Sequence, residues 1–161
     1  VRNFSRKNND IKLFDVAPVF LPKQLPLTEL PEERLMVAGL ITGRREEVGW
    51  NQGNEMVDFF DMKGIVEELF RALGISKYTV EAGEHFAMHP GKTALFKKGR
   101  EVIASVGELH PQAAENFGIK QKVYLFEMDL EVLMKYTGKS FHFESLPKYP
   151  AIARDLAIVV D

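Results

Sequence analysis

Residues 57–74 place the strongest constraint on the fold, because their apolar residues repeat with the period of an α-helix. The repeat puts six side chains on one helix face: Met62, Ile65, Val66, Leu69, Phe70 and Leu73. Asp58 suits an N-cap, Asp61 adds negative charge at the positive end of the helix dipole, and Gly74 suits the position after the C-cap. Gly64 lies in the helix interior, where glycine costs roughly 1 kcal/mol relative to alanine, so we expect a backbone packed closely against it.

Short β-type segments surround this helix, and turn residues rather than long crossovers separate them. Pro18 lies within the first segment and marks an edge strand or a bend. Lys98 and Gly99 mark the turn of a hairpin. We predict strands over 11–20, 34–43, 78–82 and 122–130, a hairpin over 93–107, and short helices over 110–118 and 129–138. This pattern predicts an α+β fold in which helices flank an antiparallel sheet.

The composition excludes several classes of protein. The chain has 161 residues, of which 45% are hydrophobic and 27% are charged, with a formal net charge of −2 and no cysteine. Such values are typical of a globular protein, and they exclude disulfides and thiolate metal sites. The charge gives no global basic field of the kind that nucleic-acid-binding proteins carry. No run of about 18 apolar residues is present, so we predict no membrane span.

The histidines are the first candidates for chemistry. His85 and His89 have the i, i+4 spacing that brings two metal ligands together on a helix. Pro90 and Gly91 favour a turn at this point instead, and His110 precedes a predicted helix start. We therefore predict no metal site. An independent small enzyme that uses one of these histidines with a nearby carboxylate is one alternative function.

Other polar and aromatic residues allow two interpretations each. Asp58 and Asp61 could be paired carboxylates for acid–base catalysis, but their place at a helix start favours a role at the helix dipole. Trp50, in a loop rich in Gly and Asn, could anchor a partner or cap the core. Several basic residues could contact RNA phosphates or be solvated surface charge: Arg2, Arg6, Lys7, Lys12, Lys148 and Arg154. No Walker loop, dinucleotide fingerprint or nucleophile elbow is present, so the residues alone reveal no catalytic constellation.

Six motifs, in order, resemble the β chain of bacterial phenylalanyl-tRNA synthetases. They are IKLFDVAPVF, VDFFDMKGIVEELFRALG, HPGKTA, VGELHP, YLFEMDLEVL and LPKYPAIARDLAIVVD. In that family the β chain carries a degenerate copy of the class II synthetase fold, paired with the catalytic copy in the α chain. The resemblance implies that residues 1–140 form this non-catalytic domain. It also implies that residues 141–161 are a linker and the truncated first strand of a ferredoxin-like anticodon-binding domain, as in a fragment of a longer chain.

The positions that class II enzymes use to bind ATP are changed in this sequence. Leu21 stands where the family's catalytic chain has a phosphate-binding Arg at the end of a strand. Glu127 and Asp129 stand where a later motif has glycines, and Val132 stands where that motif has an Arg. Two carboxylates would repel a triphosphate, and the nearest cation in sequence, Lys135, is a helical turn away. The resemblance therefore implies that this chain has no catalytic residue.

The resemblance also implies the partners. We expect a structural role beside the α chain in a cytoplasmic heterotetramer that joins phenylalanine to tRNA(Phe). We expect no membrane partner. ATP and Mg²⁺ would serve the holoenzyme, and neither would bind to this chain. The predicted α-chain contacts are Trp50, Phe59 and Phe60, and the predicted tRNA contacts are Lys148 and Arg154. A paralogue that binds an amino acid or a nucleotide is a second alternative, whereas a large exposed apolar patch would favour the subunit interpretation.

Overall fold

A six-stranded sheet forms the centre of the computed structural model, which describes residues 6, 8–24, 26, 28–46, 49–50 and 53–138. In chain order the elements are β1 (Ile11–Leu21), β2 (Glu32–Thr42), α1 (Phe59–Ala72), β3 (Thr79–Ala82), β4 (Met88–Lys98), β5 (Glu101–Leu109), α2 (Pro111–Asn116), β6 (Val123–Asp129) and α3 (Leu130–Met134). The strand order is β1-β2-β6-β5-β4-β3, and every neighbouring pair is antiparallel. The predicted α+β class with an antiparallel sheet is confirmed.

Helix α1 begins at a complete capping box. The Asp58 carboxylate accepts hydrogen bonds from the backbone N–H groups of Phe60 and Asp61 at 2.7 and 3.0 Å. The Asp61 carboxylate in turn accepts from the backbone N–H of Asp58 at 2.8 Å. Gly74 follows the C-cap residue Leu73 with a φ of +70°, a conformation that glycine adopts without strain. Both predicted helix ends are confirmed.

The buried face of α1 is narrower than the sequence predicts. Three of the six predicted side chains are fully buried and two more pack against the core: Met62, Val66 and Phe70, then Leu69 and Leu73. Ile65 is 44% exposed, so the predicted apolar face of the helix extends beyond the part that is buried. Gly64 has no atom within 4 Å of the position that a Cβ would occupy. The expected close backbone neighbour is therefore absent from the described residues.

The strand register divides the sheet into two faces. On the first face, Phe126 in β6 lies level with Gly39 in β2 and Val106 in β5. Helix α1 contacts β5 and β6, and α3 contacts β2 and β6. Phe70 and Leu133 from these helices join Phe126 and Val106 in one hydrophobic cluster. The core therefore lies between the first face and these two helices, and the alternate residues of each strand belong to the second face.

The hairpin of β1 and β2 extends beyond this core. β2 pairs with β6 only over Met36–Thr42, so its first residues pair with β1 alone. β1 is an edge strand, which confirms one of the two interpretations of Pro18. Seven apolar side chains of the hairpin are each at least 37% exposed: Leu13, Phe14, Val16, Val19, Phe20, Leu21 and Leu35. The prediction of a fully buried strand over 34–43 is correct only for its C-terminal half.

The remaining turns and helices lie close to the positions that nearby residues in the sequence predict. Gly99 has a φ of +66° in the turn of the β4–β5 hairpin, as predicted. β4 begins at Met88, and its register shifts before Thr93, so the predicted turn near His89 is an irregular stretch of strand. Asp129 caps α3, which ends earlier than the prediction over 129–138. No helix among the described residues is long and apolar enough to cross a membrane.

The predicted linker and strand over 141–161 lie outside the described residues. The domain boundary at residue 140 and the anticodon-binding strand after it therefore stay predictions.

Candidate functional site

The second face of the sheet carries a groove of about 440 Å³ across β1, β2 and β6. One row of its floor is apolar, because Leu13 in β1 lies level with Leu40 in β2 and Leu125 in β6. Leu13 is 54% exposed, so the described residues leave the outer end of this row open. The row therefore forms an apolar surface about three strands wide on the floor of the groove.

The neighbouring row of the groove carries a carboxylate at each end. Asp15 in β1 lies level with Ala38 in β2, and Ala38 lies level with Glu127 in β6. Adjacent strands are about 4.8 Å apart, so the Cα atoms of Asp15 and Glu127 are separated by about 10 Å. Ala38 is exposed although its strand has neighbours on both sides. The small alanine thus leaves open space between two acids.

Residues 85–88 contact the second face of the sheet on the β5 side of the groove. His85 Nε2 lies 3.4 Å from Glu127 Oε1. Met88 is buried against Gly107 of β5, where an added Cβ would lie 3.0 Å from Met88 Sδ. This segment therefore covers the second face over β5, and it stops at the row that contains Glu127.

The second face of β1, β2 and β6 carries four carboxylates and one guanidinium. Arg34 Nε lies 2.6 Å from Glu32 Oε1, and this hydrogen bond lowers the pKa of the Glu32 carboxyl. Asp129 accepts from the backbone N–H groups at the start of α3 at 2.9 and 3.1 Å. Within the described residues, Asp15 and Glu127 form no ion pair with a lysine or an arginine. The groove is therefore negatively charged, and His85 contacts one of its carboxylates, Glu127.

Three of the four residues predicted to occupy degenerate motif positions lie on this second face. Leu21 ends β1, and Glu127 and Asp129 lie two residues apart on β6. Val132 lies in α3 and packs against the core on the first face. The strand pattern accounts for this separation, because alternate residues of β6 share a face whereas α3 lies on the opposite side of the sheet.

The cations near these positions differ from the sequence-based expectation. Lys135 Nζ lies 2.8 Å from Glu101 Oε1, and that bond holds it away from the groove. Sequence reasoning missed Arg34, which β2–β6 pairing brings close to Asp129. Bonding to Glu32, with a smaller contribution from Asp129, raises the pKa of the Arg34 guanidinium. No signal within the local sequence could have identified this cation, because it depends on pairing between distant strands.

The three histidines that the structure describes are dispersed rather than gathered. His85 contacts Glu127, and its Nδ1 accepts from the backbone N–H of Ala87 at 3.3 Å. His110 caps α2 through a 3.1 Å hydrogen bond from the backbone N–H of Gln112. His89 lies in the irregular part of β4. In the part of the chain that the structure describes, no group of three or more His, Cys, Asp or Glu residues could hold a metal ion.

Two of the three residues predicted to contact the α chain, Phe59 and Phe60, are the first residues of α1. Trp50 is 98% exposed, so the alternative in which it caps the core is wrong. Phe60 is 72% exposed, whereas Phe59 packs against the core, and their rings meet edge to face at 5.6 Å. Trp50 and Phe60 are thus accessible to a partner, and their role as contacts stays a prediction.

The two acids at the start of α1 bind an arginine. Arg45 Nε lies 2.9 Å from Asp61 Oδ1, and Nη2 lies 3.7 Å from Asp58 Oδ2. Arg45 also pairs with Glu55, and the close contact with the Asp61 carboxylate is the main cause that raises the pKa of Arg45. Since both acids also complete the capping box, the helix-start interpretation agrees with the structure better than acid–base catalysis does.

The basic residues considered as RNA contacts are mostly outside the described residues. Four of them lie there: Arg2, Lys7, Lys148 and Arg154. Arg6 is exposed, and Lys12 Nζ donates to the backbone carbonyl of Arg45 at 2.8 Å. The predicted tRNA contacts through Lys148 and Arg154 therefore stay predictions.

Comparison with known families gives one match over most of the chain. A family described as the phenylalanyl tRNA synthetase beta chain CLM domain matches residues 1–130.

Curated relatives match almost the whole chain. The phenylalanine--tRNA ligase beta subunit of Halalkalibacterium halodurans is 41% identical over 160 residues, which are 99% of this chain and 20% of that protein. The subunits of Syntrophotalea carbinolica and Fusobacterium nucleatum are 38% and 37% identical, each over 99% of this chain and 20% of their own length. The chain thus spans about a fifth of the length of these relatives.

Solved structures show a similar fold at low sequence identity. A pyrrolysyl tRNA synthetase of Desulfitobacterium hafniense aligns with a TM-score of 0.57 and 17% identity, over 83% of this chain and 44% of that chain. A second structure of pyrrolysyl-tRNA synthetase from the same organism gives a TM-score of 0.55 and 16% identity over the same shares. At this identity the likeness concerns the fold alone.

Proposed function

The chain belongs to the family of phenylalanine--tRNA ligase beta subunits, and we propose that it is a structural, non-catalytic module of such a subunit. In this role it supports the alpha subunit and helps to place tRNA(Phe) while the enzyme joins phenylalanine to the tRNA with ATP. The module has a class II aminoacyl-tRNA synthetase-like fold, and the complete enzyme is a cytoplasmic heterotetramer.

One observation carries the non-catalytic part of this proposal, namely the charge of the second face. A triphosphate needs guanidinium or ammonium groups, or metal ions, to balance its charge. This face instead presents Asp15, Glu127 and Asp129, and its guanidinium, Arg34, is bonded to Glu32. The residues present do not fit ATP. We therefore assign ATP and Mg²⁺ to the alpha subunit.

A second observation supports a role in subunit association. The hairpin of β1 and β2 exposes apolar side chains on both of its faces, with Phe14 at 77% and Leu13 at 54% exposure. Monomeric proteins rarely expose continuous apolar surface of this kind, and such surface commonly marks an interface. A module that packs beside another subunit accounts for it, whereas an independent small enzyme does not.

Calorimetric titration tests the non-catalytic part directly. MgATP and phenylalanine are titrated separately into the chain and into the enzyme that contains the alpha subunit of the same organism. We expect no saturable heat with the chain and saturable heat with the enzyme. Saturable binding of either ligand to the chain alone would contradict the proposal and would favour a ligand-binding paralogue.

A further inference from the structure

We propose that residues 135–138 act as a latch, which fastens the chain after α3 to the C-terminal end of α1 and to the β4–β5 hairpin, and which opens while the sheet stays folded. An open latch would let the chain that follows residue 138 move relative to the sheet. This inference does not depend on the proposed function, so either can fail without the other.

The carboxylate of Glu101, at the start of β5, holds the latch from the side of the hairpin. Its Oε1 lies 2.8 Å from Lys135 Nζ, and its Oε2 accepts a hydrogen bond from the Tyr136 hydroxyl at 2.6 Å. Bonding to Lys135 and then to Tyr136 lowers the pKa of the Glu101 carboxyl, and bonding to Glu101 raises the pKa of the Tyr136 hydroxyl. Hydrogen bonds of this charge-assisted kind are stronger than neutral ones. Each oxygen of one carboxylate thus holds one of two consecutive residues that follow α3.

The backbone of Gly138 holds the latch from the side of α1. Its N–H donates to the carbonyl of Leu73 at 2.9 Å. That carbonyl lies at the C-terminal end of α1, where the helix itself supplies no donor. A Cβ on Gly138 would lie 2.8 Å from the carbonyl oxygen of Gly74. The two backbones can therefore approach this closely because residue 138 has no side chain.

A strained turn adjoins the latch. Among the described residues other than glycine, Lys77 alone has a positive φ, which is +57°. Lys98 Nζ donates to the carbonyl of Ser76 at 2.7 Å, and it lies 5.3 Å from the centre of the Tyr136 ring. Lys98 thereby fixes the peptide group that precedes Lys77 and joins the turn to the latch. Strained residues persist where surrounding contacts hold them, and they are common in segments that switch between two states.

The latch is fastened by more exposed groups than the sheet is. The side chains of Lys135 and Glu101 are 57% and 37% exposed, whereas Val106 in β5 is fully buried. Segments with solvent-exposed hydrogen bonds and little buried apolar surface open at a lower free energy than the core does. We therefore expect the latch to open in chains whose sheet is intact.

Amide hydrogen exchange, followed by NMR at several urea concentrations below the unfolding transition, measures this opening. The amide of Gly138 reports on the latch, because its bond to Leu73 breaks when the latch opens. The amide of Val106, in the buried strand β5, reports on unfolding of the sheet. We expect the protection of Gly138 from exchange to be at least about tenfold lower than that of Val106. Its protection should also depend less on urea, because local opening exposes less surface than unfolding does.

Removal of the Tyr136 hydroxyl tests whether Glu101 holds the latch. In Tyr136→Phe the protection of Gly138 should fall at least about fivefold, because the hydroxyl's bond to the carboxylate is lost. Tyr78→Phe is the matched control, since the Tyr78 hydroxyl makes no hydrogen bond to a described residue; its effect on Gly138 should stay within about twofold. The amide of Phe117, which donates to Ala113 at the end of α2, should not change in either variant.

Two results would overturn the proposal. If Gly138 and Val106 have equal protection and an equal dependence on urea, the residues of the latch separate only when the sheet unfolds. If Tyr136→Phe lowers the protection of Gly138 no more than Tyr78→Phe does, Glu101 does not hold the latch. Neither result would affect the proposed function, which the titrations of MgATP and phenylalanine test separately.

Discussion

Replacing Gly64 with alanine should stabilise the chain. Gly64 is exposed within α1, and an added Cβ would have no atom within 4 Å. The methyl group therefore adds no clash, whereas glycine in a helix interior costs roughly 1 kcal/mol relative to alanine. Part of that difference arises in the unfolded chain, where glycine has more conformations to lose. For a chain of this length, about 1 kcal/mol corresponds to a rise of about 2–4 °C in the melting temperature.

Urea denaturation measures this change, and Gly39→Ala is a matched control. In Gly64→Ala the midpoint should rise while the slope of the unfolding free energy against urea stays constant. In Gly39→Ala the same methyl would lie 2.9 Å from Cζ of the buried Phe126 and closer still to its Cε1. That variant should lose about 1–3 kcal/mol through overpacking. A lower midpoint for Gly64→Ala would refute the reasoning, since it would require a close neighbour that the described residues lack.

Three further changes have defined expectations. Asp58→Ala removes the N-cap of α1 and should destabilise the chain by about 1 kcal/mol in urea denaturation; an unchanged midpoint would mean that the capping box contributes nothing. Hydrogen bonding from Lys135 lowers the pKa of the Glu101 carboxyl below its usual value of 4.5. The ionised carboxylate therefore stabilises the folded chain at pH values above 4.5, and this contribution is lost as the pH falls through the lowered pKa. The difference in unfolding free energy between the original chain and Glu101→Gln should therefore be constant between pH 7 and 5 and should shrink in more acidic solution. A difference that grows in acid would refute this expectation. The double variant Lys148→Ala/Arg154→Ala should weaken tRNA(Phe) binding and reduce its dependence on salt, as gel-shift titration would show; unchanged affinity would exclude these two contacts.

Local signals in the sequence predict the elements well. The cap at Asp58, the stop at Gly74, the hairpin at Gly99 and the cap at Asp129 all depend on residues close together in the chain. Each signal has a short-range physical cause, either a side chain that accepts backbone N–H groups or a glycine that tolerates a positive φ. These features therefore appear in the structure where the sequence places them.

The site depends on strand register, which the sequence does not reveal. Asp15, Ala38 and Glu127 form one row only because β2 pairs with both β1 and β6, and 89 positions separate Ala38 from Glu127 in the sequence. A slip of one residue would move these side chains to the opposite face. The same long-range pairing brings Arg34 near Asp129, whereas the cation closest to β6 in the sequence is Lys135.

Exposure also depends on packing that the residues do not specify by themselves. Ile65 shares the apolar period of α1, yet it is 44% exposed. The sequence predicts that Trp50 lies in a loop, but it does not predict whether the side chain points toward the core or toward solvent. Apolar residues left outside the core are also the ones available to a partner, so these failures of prediction are informative about function.

Association with the alpha subunit of the same organism tests the central claim most directly. Light scattering on mixtures at several salt concentrations measures the mass of any complex. We predict a complex with the summed mass of both chains. A chain that stays free at every salt concentration, while binding ATP or phenylalanine saturably, would contradict the account.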